Sequence, residues 1–193
     1  MTDNQNARGD LKDRSGVDVS HCYQCGKCSA GCVQADRMDY PPSYVMRLLQ
    51  TGRAEDYRTA LSSRTIWLCL NCENCYQRCP MSIDIPAVMD ALRQQALREG
   101  VAHRDARRIL AFHRAFLSQI RRSGRLYEVG MEAQYKLSTG DLLQDVSLVP
   151  AMIAKGKLSL LPEGIKGRRA VKKLFAAARE AEKNEKKDKE GGR

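Results

Sequence analysis

The sequence predicts an all-α protein, and three observations lead there. Aromatic residues make up only 6% of the 193, and Val and Ile are sparse outside a few stretches with helical spacing, which disfavours β-sheet. Apolar residues recur at helical intervals, with Pro near the starts of segments and Gly at their ends. The stretch joining two cysteine-rich runs, at 22–32 and 69–79, carries no strand or hairpin signal.

Residues 1–16 are polar, contain Gly and show no apolar periodicity, so they predict a disordered N-terminal lead. The region 17–102 holds both cysteine runs. Between them, PPSYVMRLLQTG predicts a helix with Pro42 near its start, Gly52 past its end, and Val45, Leu48 and Leu49 on one face. AEDYRTALSS predicts a second, with Tyr57 and Leu61 one turn apart. After the second run, IDIPAVMDALRQQALREG predicts a helix closed by Gly100 whose buried face is Val88, Leu92 and Ala96.

The region 103–178 reads as a helical C-terminal extension for partner docking. RDARRILAFHRAFLSQIRRSG gives a long helix with Ile109, Phe112, Phe116 and Ile120 as a core stripe, stopped at Ser123-Gly124. Shorter helices follow, then an irregular stretch at KGKLSLLPEGIKG. A basic helix, KGRRAVKKLFAAAREAEKNEKK, carries Val171, Leu174, Phe175 and Ala178 as a narrow stripe. Residues 179–193 form a charged tail expected to fray.

All eight cysteines fall in the two runs: Cys22, Cys25, Cys28 and Cys32, then Cys69, Cys72, Cys75 and Cys79. Each of the second set lies 47 positions after its counterpart. C-x2-C-x2-C-x3-C is the spacing that holds a cubane iron–sulfur cluster. One turning loop delivers three thiolates to one cube, and the fourth cysteine leaves with the chain toward the other. The predicted ligand sets are therefore crossed: Cys22, Cys25, Cys28 and Cys79 for one 4Fe–4S cluster, and Cys69, Cys72, Cys75 and Cys32 for the second. Structural zinc remains an alternative. It usually takes two separated cysteine pairs, which fits a triplet-plus-one spacing less well. His21 abuts Cys22, but all eight ligand places are already filled. Tyr23, Tyr76 and Trp67 are expected to shield the clusters from water.

The N-terminal MTDNQNARGDLKDRSG has no apolar core of a secretory signal, and no window of about 18 apolar residues exists. Both predict a cytoplasmic protein without a membrane span, where cysteines serve as metal ligands rather than disulfides. The formal net charge is +10. Eight thiolates on two clusters would offset part of it, and no nucleic-acid-binding module is recognisable, so no nucleic-acid partner is expected. No Gly-rich dinucleotide fingerprint follows a predicted strand, and no cysteine is left for thiol–disulfide exchange. The chain is thus expected to move electrons and to contain no catalytic site of its own.

HCYQCGKCSAGC, a helical linker, and CLNCENCYQRCPMSIDIP together resemble the C subunit family of heterodisulfide reductase, an α-helical ferredoxin type with two 4Fe–4S clusters. RRSGRLYEVG and KGKLSLLPEGIKGRRAVKKLF are similar to that family's tail, extending the likeness over roughly residues 20–176. The cysteine runs are shared more widely, with iron–sulfur subunits of succinate dehydrogenase, glycolate oxidase and anaerobic glycerol-phosphate dehydrogenase. Many of those append paired-cysteine CCG motifs. This chain has none, which favours the stand-alone C subunit. The resemblance implies a hetero-oligomer in which this chain relays electrons between a flavin-containing A-type subunit and a disulfide-reducing, CCG-type B subunit. In methanogens the disulfide is that of coenzymes M and B. Two other readings stand beside it: an iron–sulfur subunit of another flavin-dependent oxidoreductase feeding quinone, and a zinc-bound scaffold whose basic helix binds anions. The basic stretch Lys155–Lys173 is a candidate docking surface.

Overall fold

The computed structural model describes residues 2–142, 149–156 and 164–191, with side chains described over 9–142, 150–156 and 164–184. Among the described residues all regular structure is helical, as the composition predicts. The helices are α1 (Thr2–Ser15), α2 (Lys27–Ala30), α3 (Pro42–Thr51), α4 (Ala54–Ser62), α5 (Thr65–Leu68), α6 (Asn74–Gln77), α7 (Ile85–Glu99), α8 (Ala106–Ser123), α9 (Glu128–Thr139), α10 (Val149–Ala154) and α11 (Arg168–Gly191). Short 3-10 turns occupy Val19–His21 and Ala35–Arg37. The contacts divide the chain into two units, 1–107 and 108–193.

In the first unit the predicted starts and stops hold. Pro42 and Pro86 sit in the first turns of α3 and α7, where a missing N–H removes no helical bond. Gly52 and Gly100 close those helices in the left-handed conformation that suits glycine. The α7 helix is the spine, packing against α1, α4, α5 and α6, while α3 packs against α2 and α4. Val45, Met46, Leu49, Leu61, Ile66, Val88, Met89 and Leu92 are all fully buried. Each buried side chain of this size contributes about 1.5–3 kcal/mol.

The N-terminal lead is a correction: Thr2–Ser15 is helix α1, not a disordered segment. The helix is polar throughout, which hid it from a search for apolar periodicity. Among the described side chains of α1 its apolar anchor is Leu11, only 1% exposed, where α1 meets α7 and α4. Gly16 ends it with a left-handed residue, and Lys12 reaches Asp18 at 2.9 Å.

In the second unit, α8 ends where Ser123-Gly124 predicts. Its apolar stripe is only partly covered: Phe112 is 42% exposed, and Ile109, Phe116 and Ile120 are half-buried. Phe112 packs edge-on against Tyr135 of α9, and Gln119 donates to the amide oxygen of Gln134 at 3.2 Å. An ion pair of 2.9 Å between Arg108 and Asp141 spans the same two elements' ends. The basic helix expected near the C-terminus is α11, which runs through the charged segment to Gly191. Most of the expected irregular stretch, 157–163, lies outside the described residues.

Candidate metal centres

The repeat in the sequence is a repeat in backbone geometry. Cys22 follows the Val19–His21 turn, and Cys69 follows α5, each as an extended residue that closes the turn with its N–H. Two left-handed residues come next in each run: Gln24 and Gly26 in the first, Asn71 and Glu73 in the second. One short helix then carries the third cysteine, α2 for Cys28 and α6 for Cys75. All these pairs keep the 47-residue offset. Left-handed backbone costs a residue with a Cβ about 1–2 kcal/mol, and Glu73 accepts that strain where Gly26 avoids it. The twist turns backbone N–H groups toward the cysteines: the Gln24 N–H donates to Cys22 Sγ at 3.5 Å.

The folded loops bring together the crossed cysteine sets. Cys22, Cys25, Cys28 and Cys79 line one concavity of about 360 Å³, with Pro80, Met81 and Ile83 among its walls. Cys32, Cys69, Cys72 and Cys75 line another of about 430 Å³, walled by Met38, Leu70, Pro86 and Met89. Ile85, at the start of α7, lines both, so a single side chain serves as a shared wall. The runs also interlock directly. Asn74 donates from Nδ2 to the Gly31 carbonyl at 3.2 Å. The Arg78 side chain packs so closely on Gly31 that a Cβ there would lie 2.8 Å from it.

Eight thiols in two apolar cages fit iron–sulfur clusters. Burial pushes the thiols of Cys28 and Cys69 up, and that of Cys75 up to about 12. At Cys69 an N–H from Asn71 and the charge of Arg93 pull partly the other way. Metal binding to such thiols releases their protons. Among the described residues no three His, Cys, Asp or Glu side chains converge tightly enough to hold a single metal ion. A four-iron cube asks for less convergence, since each of its four thiolates meets a different iron.

Three residues that sequence reasoning missed hold these loops in place. Asp39 accepts hydrogen bonds from the N–H groups of Arg64 (2.8 Å) and Thr65 (2.9 Å), capping α5 from the inter-run linker. Thr65 also accepts from the Tyr40 N–H at 3.0 Å. Gln50 of α3 donates to the carbonyl of Cys22 at 2.9 Å, and Arg93 of α7 donates to that of Cys69. The aromatic shield, in contrast, is a partial one. Tyr23 lines the first cage but is 72% exposed, while Trp67 is buried in the core and lines neither cage. His21 ends the 3-10 turn, exposed and outside both linings.

Asp39 yields a prediction with a defined pH sign. Burial pushes its carboxyl up, but hydrogen bonds from the Thr65 hydroxyl and the Arg64, Thr65 and Tyr40 N–H groups outweigh that and hold it below the ordinary value. Its contribution to stability is therefore complete above the unfolded value of about 3.9 and lost only as pH falls through the lower folded value. Asp39→Ala is expected to lower stability by about 1 kcal/mol. Urea unfolding of the anaerobic protein should show that deficit constant between about pH 6 and pH 8. A deficit that changes across this range would mean that another group titrates there.

No helix among the described residues is long and apolar enough to cross a membrane. Residues 18–83 match the family model of the 4Fe–4S dicluster domain. The iron–sulfur C subunit of the CoB–CoM heterodisulfide reductase of Methanopyrus kandleri is 32% identical over 96 residues, 50% of this chain and 48% of that protein. The C subunit of a ferredoxin:CoB–CoM heterodisulfide reductase of Methanosarcina acetivorans is 31% identical over 97 residues, 50% of this chain and 38% of that one. The second iron–sulfur C subunit of the CoB–CoM heterodisulfide reductase of Methanocaldococcus jannaschii is 35% identical over 89 residues, 45% of this chain and 46% of that one. These matches span less of the chain than the 20–176 its motifs suggest, and the chain spans about half or less of each of these relatives. Residues 18–83 thus match a 4Fe–4S dicluster domain, and about half of the chain is similar to the C subunits of heterodisulfide reductase.

Proposed function

We propose that this chain is the electron-transfer subunit of a heterodisulfide reductase-type complex. Cys22, Cys25, Cys28 and Cys79 hold one 4Fe–4S cluster, and Cys32, Cys69, Cys72 and Cys75 hold the other. The observation that carries this reading is the sorting of eight thiols into two crossed cages with Ile85 as their common wall. The clusters supply one-electron chemistry; the chain supplies ligands, spacing and exclusion of water. Electrons pass from a flavin-containing A-type subunit to a CCG-type B subunit, where the disulfide is reduced.

The second unit offers a surface for such partners. Arg121 and Arg122 of α8 and Arg168, Lys172 and Arg179 of α11 line a groove of about 690 Å³ with Phe175 beside them. Among the described residues none of these five cations has an ion-pair partner. Unpaired like charges repel one another in the isolated chain. An acidic segment of a partner subunit, with an apolar residue for Phe175, would relieve that repulsion. Only Arg168 and Lys172 come from the basic stretch expected at Lys155–Lys173.

The test is anaerobic purification with iron and sulfide counts and EPR after reduction. About eight irons with 4Fe–4S signals are expected by the ligand count; zinc without a signal would overturn the reading. The pair Arg122→Glu and Arg168→Glu is expected to weaken assembly with the partner subunits about tenfold or more, most visibly at low salt. Unchanged assembly would remove the groove as the docking surface.

A further inference from the structure

The two halves of the site use one device in two chemistries. In the first half Gln50 donates from Nε2 to the carbonyls of Val19 (3.1 Å) and Cys22 (2.9 Å). In the second half Arg93 donates from Nε to the carbonyl of Ile66 (2.5 Å) and from Nη2 to that of Cys69. Ile66 and Cys69 stand 47 positions after Val19 and Cys22. Each cage thus has its leading cysteine tied, through the same two carbonyls, to a helix beyond its own run. One tie is a neutral amide. The other is a cation that does not deprotonate in proteins.

Arg93 is also the better-protected charge. Its side chain is 19% exposed, and its ion-pair partner Asp90 lies 3.6 Å away on the exposed side of α7. The other charged differences between the runs face water. Lys27 lines the first cage where Asn74 lines the second, Glu73 replaces Gly26 and Arg78 replaces Gly31, but Lys27, Glu73 and Arg78 are all exposed. Solvent and salt screen such charges strongly.

We infer that Arg93 makes the cage of Cys32, Cys69, Cys72 and Cys75 the higher-potential of the two, so that an electron entering the chain comes to rest there. The inference depends on the two-cluster reading above. Reduction adds negative charge to a cage, and a fixed, partly buried cation favours the reduced form more than an amide dipole does. At the effective dielectric of about 20 that suits such sites, a neighbouring unit charge shifts the ratio of reduced to oxidised form by about tenfold. For a one-electron couple that is about 59 mV.

The experiment is a redox titration, followed by EPR, of the full chain with iron and sulfide counted in every variant. Arg93→Gln should lower the higher midpoint by the equivalent of about tenfold and leave the lower one within about twofold. Arg93→Lys keeps the charge but not the paired hydrogen bonds, and should hold the higher midpoint near that of the parent. An unshifted midpoint in Arg93→Gln would overturn the inference. So would an equal fall in Arg93→Lys, which would make Arg93 a packing residue alone. Gln50→Lys supplies an independent reading if Arg93→Gln fails to load iron: it should raise the lower midpoint and narrow the gap, and no change would count against the charge argument. Lys27→Gln should move neither midpoint, and a shift as large as that of Arg93→Gln would defeat the screening argument. A parent chain that binds no iron would strike the two-cluster reading instead.

Discussion

Cys79→Ser is expected to empty the cage of the first run and spare that of its own. The variant should retain about four irons rather than eight, since each cube holds four. After anaerobic alkylation, peptides carrying Cys22, Cys25 and Cys28 should be labelled, while Cys69, Cys72 and Cys75 stay protected. Cys32→Ser should give the mirror result. This follows from the placement of Cys79 in the concavity of Cys22, Cys25 and Cys28, and of Cys32 in the other. If Cys79→Ser instead exposed the second run and protected the first, the ligand sets would be local to each run. The crossed assignment would then be wrong.

The second large effect belongs to the spine. Leu92→Ala in α7 should lower stability by about 3 kcal/mol, the usual loss when a buried leucine leaves a cavity. Leu92 is fully buried, on the helix that meets α1, α4, α5 and α6 together, so no single neighbour can relax into the space. Domains of this kind have about 5–15 kcal/mol in all, and the variant should release its iron at a lower urea concentration than the parent. A loss below about 1 kcal/mol would show that the surrounding helices close the cavity.

The two cysteine runs were readable in the sequence because their spacing is local: the three leading cysteines of each run lie on one turning loop and line one concavity. Helices α3, α4 and α7 were readable for a similar reason, with Pro42, Pro86, Gly52 and Gly100 marking ends that backbone chemistry imposes. What was hidden depends on contact between distant positions. Asp39, Gln50 and Arg93 are ordinary surface residue types, and the partners described above lie 24–31 positions away along the chain. Nothing in their neighbourhoods distinguishes them until the chain folds. Helix α1 was hidden for the opposite reason: one leucine in a polar helix makes no period, yet that leucine is buried where the helix meets α7 and α4. The stripe on α8 erred the other way, since regular spacing announces an apolar face but says nothing of how completely it is covered.

The exchange of Cys32 and Cys79 between cages has a consequence for how the protein is made. Each cage closes only when its distant cysteine arrives, and the intervening chain must already run through α3, α4 and α5. The entropy of closing so long a loop has to be met by the packing of those helices. During synthesis the first run emerges early but has no complete cage to offer until Cys79 has left the ribosome. With the proposed ligand sets, metal loading is then the last act of folding for the whole of 18–83.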